Sequence, residues 1–214
     1  MVNIAVLLSG GGTNLQALID AVHGHTIAGT ISVVISNRKN AYGLVRARNA
    51  GIDTLYLAKK DFPDSESYDA RIAAELQKRD IGLVVLAGYL NILTRPLIAA
   101  YPNKIINIHP SLIPAFCGSG FYGLHVHRAV LEKGVRFTGA TTHFVDENID
   151  SGAIIMQDVV PVADSDTPES LAQKVLTVEH RILVKTVQAF CSGGISIRNN
   201  RVFLAAETAG YPAH

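Results

Sequence analysis

The chain has few cysteines and no excess of either charge, and these shortages exclude several classes of protein. Its two cysteines, Cys117 and Cys191, are too few for a disulfide framework in 214 residues. This composition is typical of a reducing compartment, so we expect a cytoplasmic location. The 19 basic and 18 acidic side chains leave a formal charge of +1, which provides no general attraction to nucleic acid or to an anionic membrane. We therefore expect small-molecule partners.

Long apolar runs are also missing from the sequence. No segment approaches the roughly 18 consecutive apolar residues that a membrane span needs. The first residues, MVNIAVLLSGGG, contain a short apolar run but neither a basic region nor a small-residue cleavage site. We interpret this run as a buried first strand and not as a signal peptide.

Apolar strands alternate with amphipathic helices through the first half of the chain. Continuous apolar strands are typical of parallel sheets that are covered by helices on both faces. We therefore predict an α/β fold with a doubly wound, mostly parallel sheet. The predicted strands are residues 3–9, 30–36, 54–57, 82–88 and 104–109, and the predicted helices are residues 14–22, 42–50 and a segment around 68–76.

The second half follows a different pattern. Residues 138–145 and 152–162 are too close for a crossover helix, so we predict an antiparallel pair that extends the same sheet. Thr167 and Pro168 favour the start of a long helix that runs to about Phe190. Residues 195–204 predict a hairpin with an Asn-Asn turn. We expect a single domain over residues 1–214, with a phosphate-binding half (1–109) and a second half (110–214).

The segment SGGGTN, residues 9–14, joins the first strand to the first helix. Glycines and the free N–H groups of a helix N-terminus are typical of a phosphate site. The loop lacks the lysine of a Walker motif, and Leu15 stands where a dinucleotide fingerprint needs its third glycine. A small phosphorylated ligand fits this pattern, although a tight turn with Asn14 as N-cap fits it equally well.

Two polar residues interrupt the apolar strand KIINIH. Asn107 and His109 are two positions apart, so their side chains share one face of the strand, and Pro110 ends it. An Asn amide can stabilise an oxygen that becomes negative, and a His can transfer a proton. This pair suits acyl transfer without a covalent enzyme intermediate. The nearby segment DENIDSG offers Asp146, Glu147 and Asp150 as a partner for the His, and the pattern does not choose among them.

A metal-dependent hydrolase is a competing interpretation. His109, Cys117, His125, His127 and His143 are potential zinc ligands. The chain has no Cys-x-x-Cys pair and no His-Glu-x-x-His motif, so we predict that no metal is bound. A non-catalytic nucleotide sensor on the same fold is a third interpretation.

Six segments together resemble the folate-dependent formyltransferases. They are LLSGGGTNLQALIDA (7–21), VVISNR (33–38), VVLAGYLNIL (84–93), IINIHPSLIPAF (105–116), TTHFVDENIDSGAII (141–155) and VEHRIL (178–183). The resemblance implies a Rossmann-like formyltransferase fold and, from the Ser-Gly-x-Gly-Thr-Asn start, the branch that acts on 5-phosphoribosylglycinamide (GAR) in purine biosynthesis. The formyl donor would be 10-formyltetrahydrofolate, a co-substrate. The alternative is another enzyme that uses this donor, either a formyltransferase for a different amine or a formyltetrahydrofolate hydrolase. The resemblance leaves open whether the protein is a monomer or a homodimer.

The resemblance also implies roles for individual residues. The catalytic positions are Asn107, His109 and Asp150, and the supporting positions are Thr141 and His143. The GAR site would include Gly12, Thr13, Asn14 and Glu179. The folate site would include Leu90, Asn91, Ile92 and Leu93, faced by Asp146, Glu147, Asn148 and Ile149.

The sequence departs from the family pattern at three places. Asn91 and Ser65 stand where some relatives carry Arg, which puts contacts to a folate polyglutamate tail in doubt. Residues 117–127 form a longer segment than in the shortest relatives. We expect this segment to alter a loop beside the site and not the chemistry.

Overall fold

The computed structural model describes residues 1–205, and nine strands and six helices account for most of them. The strands are β1 (Val2–Leu8), β2 (Gly29–Ser36), β3 (Asp53–Tyr56), β4 (Leu83–Leu86), β5 (Ile105–His109), β6 (Phe137–Phe144), β7 (Ile154–Pro161), β8 (Ile195–Arg198) and β9 (Arg201–Leu204). The helices are α1 (Thr13–His23), α2 (Tyr42–Asn49), α3 (Ser65–Gln77), α4 (Arg95–Ala100), α5 (Leu124–Lys133) and α6 (Pro168–Cys191). A short 3₁₀ turn covers Lys59–Asp61.

Seven strands form one sheet in the order β3-β2-β1-β4-β5-β6-β7. The first five strands pair in parallel, and β6 and β7 add to the β5 edge in antiparallel orientation. The α/β class, the mostly parallel sheet and its antiparallel extension are therefore confirmed.

The hairpin β8–β9 forms a sheet of its own and does not continue the main one. Its turn residues Asn199 and Asn200 both have positive φ, as the predicted Asn-Asn turn requires. Alternate residues of the hairpin, including Ile195 and Val202, pack against the core between the sheet and α6. The hairpin thus lies on the core by one face, which explains why it is separate from the sheet edge.

Two apolar cores cover the two faces of the sheet. Val6 and Leu8 of β1 belong to the core that contains α1 and α6, whereas Leu7 belongs to the core that contains α3. Because successive side chains of a strand alternate between faces, a strand between two helical layers must be apolar throughout. This requirement explains the continuous apolar runs of β1, from Ile4 to Leu8, and of β4.

The long helix α6 begins where the sequence predicts. The Thr167 hydroxyl accepts a hydrogen bond from the Ser170 N–H, the Ser170 hydroxyl accepts one from the Thr167 N–H, and Pro168 occupies the first turn. The helix packs against α1 and β6. Across residues 1–205, no helix combines the length and the apolar character needed to cross a membrane.

Candidate active site

A cavity of about 820 Å³ lies at the carboxyl ends of the parallel strands. In open α/β sheets this edge is where ligands bind, because the strand order reverses there and leaves a crevice. Here β2 and β4 flank β1 on its two sides. The cavity is lined by Asn14, Asn37, Arg38, Leu86, residues 88–93, residues 107–110, residues 118–124, His127, His143, residues 145–150, Ala172, Gln173, Leu176 and Glu179.

Asn107 is held by a histidine from the neighbouring antiparallel strand. The β5–β6 register places His143 opposite Asn107, and the Asn107 Nδ2 lies 3.1 Å from the His143 Nε2. The His143 Nδ1 lies 2.8 Å from the Phe144 carbonyl, so this nitrogen carries the hydrogen and Nε2 is the acceptor. Burial lowers the pKa of His143, which favours the neutral ring. The Asn107 amide therefore donates one N–H to His143, and its second N–H is available to a ligand in the cavity.

His109 lies between a carboxylate and a backbone carbonyl. Its Nε2 donates to the Phe116 carbonyl at 2.9 Å, and its Nδ1 is 3.6 Å from the Asp150 Oδ2. The second distance is that of an ion pair and is too long for a direct hydrogen bond. The same carboxylate approaches His143, with 3.7 Å between Asp150 Oδ1 and His143 Nε2.

The geometry distinguishes the three acids of the 146–150 loop. Asp150 has a φ of 53° and accepts a hydrogen bond from the Gly118 N–H at 2.9 Å, so its carboxylate is fixed beside His109. Asp146 instead accepts hydrogen bonds from the Asn148 N–H and the Ser151 hydroxyl, which stabilise the loop. Glu147 is exposed. All three line the cavity together with Asn148 and Ile149.

Thr141 supports the loop that follows His109. It lies opposite His109 in the β5–β6 register, and its hydroxyl donates to the Ser111 carbonyl at 2.6 Å. The same oxygen accepts hydrogen bonds from the Ile113 N–H and the Gln157 amide. Thr141 therefore fixes the backbone after the strand and is fully buried.

Asn14 pairs with Glu179 across the α1–α6 contact. The Asn14 Nδ2 donates to the Glu179 Oε2 at 2.7 Å, and burial raises the pKa of this carboxyl group. The Asn14 Oδ1 is buried and has no hydrogen-bond partner among residues 1–205. The alternative interpretation of the loop, in which Asn14 is the N-cap, is wrong, because the N-cap is Gly12 and Asn14 lies within α1.

Gly12 is required by packing against α2. Its φ is +72°, and an added Cβ would lie 2.6 Å from the Gly43 Cα. The described residues that line the cavity include Asn14 but not Gly12 or Thr13. The open part of the loop is at Gly10 and Gly11, where an added Cβ would meet no atom within 4 Å.

The 90–93 segment is a loop between β4 and α4 that forms one wall of the cavity. The Leu90 N–H donates to the Ser9 hydroxyl at 2.9 Å, which ties this loop to the glycine loop. Leu90 and Ile92 are large apolar side chains that remain 46% and 61% exposed, and an apolar ligand surface would cover them. Leu93 is buried in the α3 core, and Asn91 accepts a hydrogen bond from the Asn37 amide.

Residues 117–127 lie beside the site, as expected, and one of them contacts a candidate catalytic residue; that the segment leaves the chemistry unchanged stays a prediction. The segment provides the Gly118 N–H that binds Asp150, and the preceding Phe116 provides the carbonyl that binds His109. Gly118, Gly120 and Gly123 all have positive φ, which glycine adopts without strain. The spacing of these glycines was the available sequence signal, but it did not indicate the contacts.

Two further residues of the cavity, His127 and Asn37, were given no role in the formyltransferase interpretation of the sequence. His127 is 3% exposed, and its Nδ1 is buried without a partner among residues 1–205. Asn37 lies at the end of β2, in the VVISNR segment that carried part of the resemblance.

Within residues 1–205, no group of three or more His, Cys, Asp or Glu side chains could hold a metal ion. Burial and the nearby Asp150 raise the pKa of the Cys117 thiol, which disfavours the nucleophilic thiolate.

Comparison with known proteins gives consistent matches over nearly the whole chain. Residues 2–187 match the family model described as formyl transferase. The chloroplastic phosphoribosylglycinamide formyltransferase of Vigna unguiculata is 42% identical over 200 residues, which are 93% of this chain and 64% of that protein. The phosphoribosylglycinamide formyltransferase of Escherichia coli K12 is 40% identical over 202 residues, which are 94% of this chain and 93% of that protein. The crystal structure of glycinamide ribonucleotide transformylase 1 from Symbiobacterium toebii has a TM-score of 0.92 and 44% identity, and the match covers 96% of this chain and 94% of that one.

Proposed function

Because this chain belongs to the formyl transferase family, we propose that it transfers the formyl group of 10-formyltetrahydrofolate to the amine of GAR. The products are formyl-GAR and tetrahydrofolate, in the purine biosynthetic pathway. The observation that carries this proposal is the meeting of Asn107, His109 and Asp150 in one cavity at the carboxyl edge of the sheet. The names of the relatives support the choice of GAR as the acceptor.

The cavity suits two small-molecule substrates together. Its volume of about 820 Å³ lies in the upper part of the range of ligand sites, which is about 300–1,000 Å³. Leu90 and Ile92 provide an apolar wall for the flat rings of the formyl donor, and the 146–150 loop faces that wall with polar groups. The glycine loop, whose Asn14 donates to Glu179, forms with this carboxylate the part of the site that receives GAR.

Asn107 stabilises the negative charge that develops on the formyl oxygen when the amine attacks the formyl carbon. One of its N–H bonds is given to His143, and this contact fixes the plane of the amide. The second N–H of Asn107 is then held toward the formyl oxygen, and the amide does not have to reorient during the reaction. This preorganisation is the condition for effective oxyanion stabilisation. His143 acts here as a neutral positioning residue.

His109, with Asp150 beside it, accepts and then transfers the proton that the attacking amine loses. The His109 Nε2–H is already engaged by the Phe116 carbonyl, so the ring receives the proton at Nδ1, which faces Asp150. The resulting imidazolium is stabilised by the carboxylate and adds to the positive field near the formyl oxygen. When the carbon–nitrogen bond to the donor breaks, the same proton passes to the departing nitrogen of tetrahydrofolate.

The acceptor end of the site combines a helix N-terminus with a partly buried carboxylate. The glycine loop contains no lysine, so the phosphate of GAR is bound by backbone N–H groups at the start of α1. Glu179 accepts a hydrogen bond from a donor group of GAR. Because the Asn14 Nδ2 is committed to Glu179, Asn14 orients this carboxylate and is not the main phosphate ligand.

An absorbance assay of folate product release tests the proposal. A stable 10-formyl folate analogue is mixed with the purified protein in the presence and absence of GAR. We expect release that depends on GAR, with formyl-GAR formed in equal amount. Release without GAR would indicate the hydrolase, and no release with GAR while the analogue still binds would indicate a different acceptor. The cytoplasmic location and the monomeric or homodimeric state remain predictions.

A further inference from the structure

A chain of four side chains runs from the α3 core to the wall of the cavity. Tyr68 lies 3.2 Å from the Leu57 carbonyl, and its hydroxyl is 3.0 Å from that of Tyr89. The Asn91 Nδ2 lies at a long 3.5 Å from the Tyr89 hydroxyl, and the Asn37 Nδ2 is 3.0 Å from the Asn91 Oδ1. Tyr68 is outside the cavity lining, whereas Tyr89, Asn91 and Asn37 belong to it.

The direction of each hydrogen bond in this series of side chains follows from the contact of Tyr68 with the Leu57 carbonyl. A carbonyl oxygen only accepts, so Tyr68 must donate its single hydrogen to Leu57. Tyr89 must then donate to Tyr68, and its own oxygen can only accept from the amide nitrogen of Asn91. The Asn91 oxygen is consequently turned toward Asn37, which must present its nitrogen. This polarity fixes the orientation of both amides.

This series of hydrogen-bonded side chains ends in an acceptor that has no partner among residues 1–205. The Asn37 Oδ1 is buried and forms no hydrogen bond with any of residues 1–205. A buried acceptor that is left unsatisfied destabilises the protein, and such groups generally find a partner in water or a ligand. Asn37 belongs to the lining of the cavity, so a ligand bound there is the candidate partner for this oxygen.

We propose that Asn37 is a specificity residue for the formyl donor, and that Tyr68, Tyr89 and Asn91 fix its amide so that the oxygen accepts a hydrogen bond from an N–H or O–H group of the donor. This inference rests on the proposed function, because it assigns the wall formed by residues 90–93 to the donor. The group recognised is a neutral hydrogen-bond donor and not a carboxylate, since the free acceptor would repel an anion. Asn91 and Asn37 are both neutral amides, so this end of the site recognises its ligand without a charged side chain of either residue.

Steady-state kinetics with Tyr89→Phe and Asn37→Ala test the proposal. Both variants should raise the KM for the 10-formyl folate analogue by about 3- to 10-fold, the factor expected for one neutral hydrogen bond. The KM for GAR and kcat should stay within about twofold of the unmodified enzyme. Tyr68→Phe should act in the same direction although Tyr68 does not line the cavity, because it removes the group that sets the polarity.

Tyr101→Phe is the matched control, since Tyr101 is a buried tyrosine of the same core that lies away from the cavity lining. The proposal is overturned if this control changes the donor KM as much as Tyr89→Phe, if the KM for GAR rises instead, or if the donor KM does not change. Equilibrium binding of the folate analogue to the same variants tests the role of Asn37 independently of the proposed function. A protein that fails to formylate GAR contradicts the proposed function, and the binding series still decides the assignment of Asn37.

Discussion

Replacement of Asp150 by Asn removes one charge from the site with little effect on its shape. Asn adopts the left-handed region more readily than most residues, so it tolerates the φ of 53°. Its side-chain oxygen can still accept the hydrogen bond from Gly118 that Asp150 accepts at 2.9 Å. The change that remains is the loss of a negative charge 3.6 Å from His109 Nδ1.

The size of the effect follows from this distance. Two unit charges at this separation attract by about 4–5 kcal/mol at an effective dielectric constant of about 20. Each ~1.4 kcal/mol of lost transition-state stabilisation lowers the rate about tenfold, so the ceiling is about three orders of magnitude. Because water reorganises around the imidazolium and recovers part of this energy, we expect kcat to fall by about 10²–10³-fold for Asp150→Asn.

The assay is GAR-dependent release of the folate product, measured with the variant and with Asp146→Asn as control. Asp146 lies in the same loop and binds the Asn148 N–H and the Ser151 hydroxyl, so its substitution should keep kcat within about threefold. Circular dichroism and thermal unfolding establish that both variants are folded. If Asp150→Asn retains more than about a tenth of the activity, or loses less than Asp146→Asn, the assignment of the proton-transfer pair is wrong.

Three further predictions concern other residues of the site. Asn107→Ala should lower kcat by about 10²–10³-fold, as expected for the loss of an oxyanion donor, and it should also lower stability by about 1–3 kcal/mol because the buried His143 Nε2 loses its donor; kcat would be measured in the same assay. Glu179→Gln should raise the KM for GAR, and it should also raise the thermal unfolding temperature at neutral pH. Since burial raises the pKa of Glu179 in the folded protein, stability is lost as the pH rises through that pKa, so the gain from Gln should vanish below the ordinary pKa of a glutamate. Cys117→Ser should keep kcat within a few-fold, and EDTA should not inhibit, because neither a thiolate nor a metal takes part.

Each of these predictions has an outcome that contradicts it. Near-normal turnover of a folded Asn107→Ala variant would remove the amide from the mechanism. An unchanged unfolding temperature of Glu179→Gln at neutral pH would show that the partly buried carboxylate does not destabilise the protein. A formylated cysteine, or activity that EDTA removes and zinc restores, would refute the account of Cys117.

The strands of the main sheet and their parallel or antiparallel orientation were predictable because these features are local in sequence. Strands that are buried on both faces must be apolar throughout, and the short connection between β6 and β7 excludes a parallel crossover. The placement of the hairpin β8–β9 was less accessible. It depends on which surface its alternate apolar residues meet, and that surface is formed by distant parts of the chain.

The candidate site was predictable only in part, for the same physical reason. The two-residue period of a strand places Asn107 and His109 on one face, and both line the cavity. The choice of Asp150 over Asp146 depends on a left-handed turn and on a contact with Gly118, 32 positions away. The contact of Asn107 with His143 depends on the register between β5 and β6, which no local pattern encodes.

The glycine loop shows how a local pattern combines two requirements. Its open side at Gly10 and Gly11 agrees with the expected approach of a phosphate. Gly12, in contrast, is needed because the Gly43 backbone of α2 packs directly against it. The sequence alone could not separate these causes, because a glycine that admits a ligand and a glycine that admits a neighbouring helix look the same.

The central claim is that GAR is the acceptor, and transfer of an isotopically labelled formyl group tests it most directly. The protein is incubated with the labelled 10-formyl donor and either GAR or its dephosphorylated riboside, and the products are identified by mass spectrometry. The account predicts label in formyl-GAR and little label in the riboside product, because the start of α1 binds the phosphate. Label that appears in formate with GAR present, or equal labelling of GAR and the riboside, would contradict it.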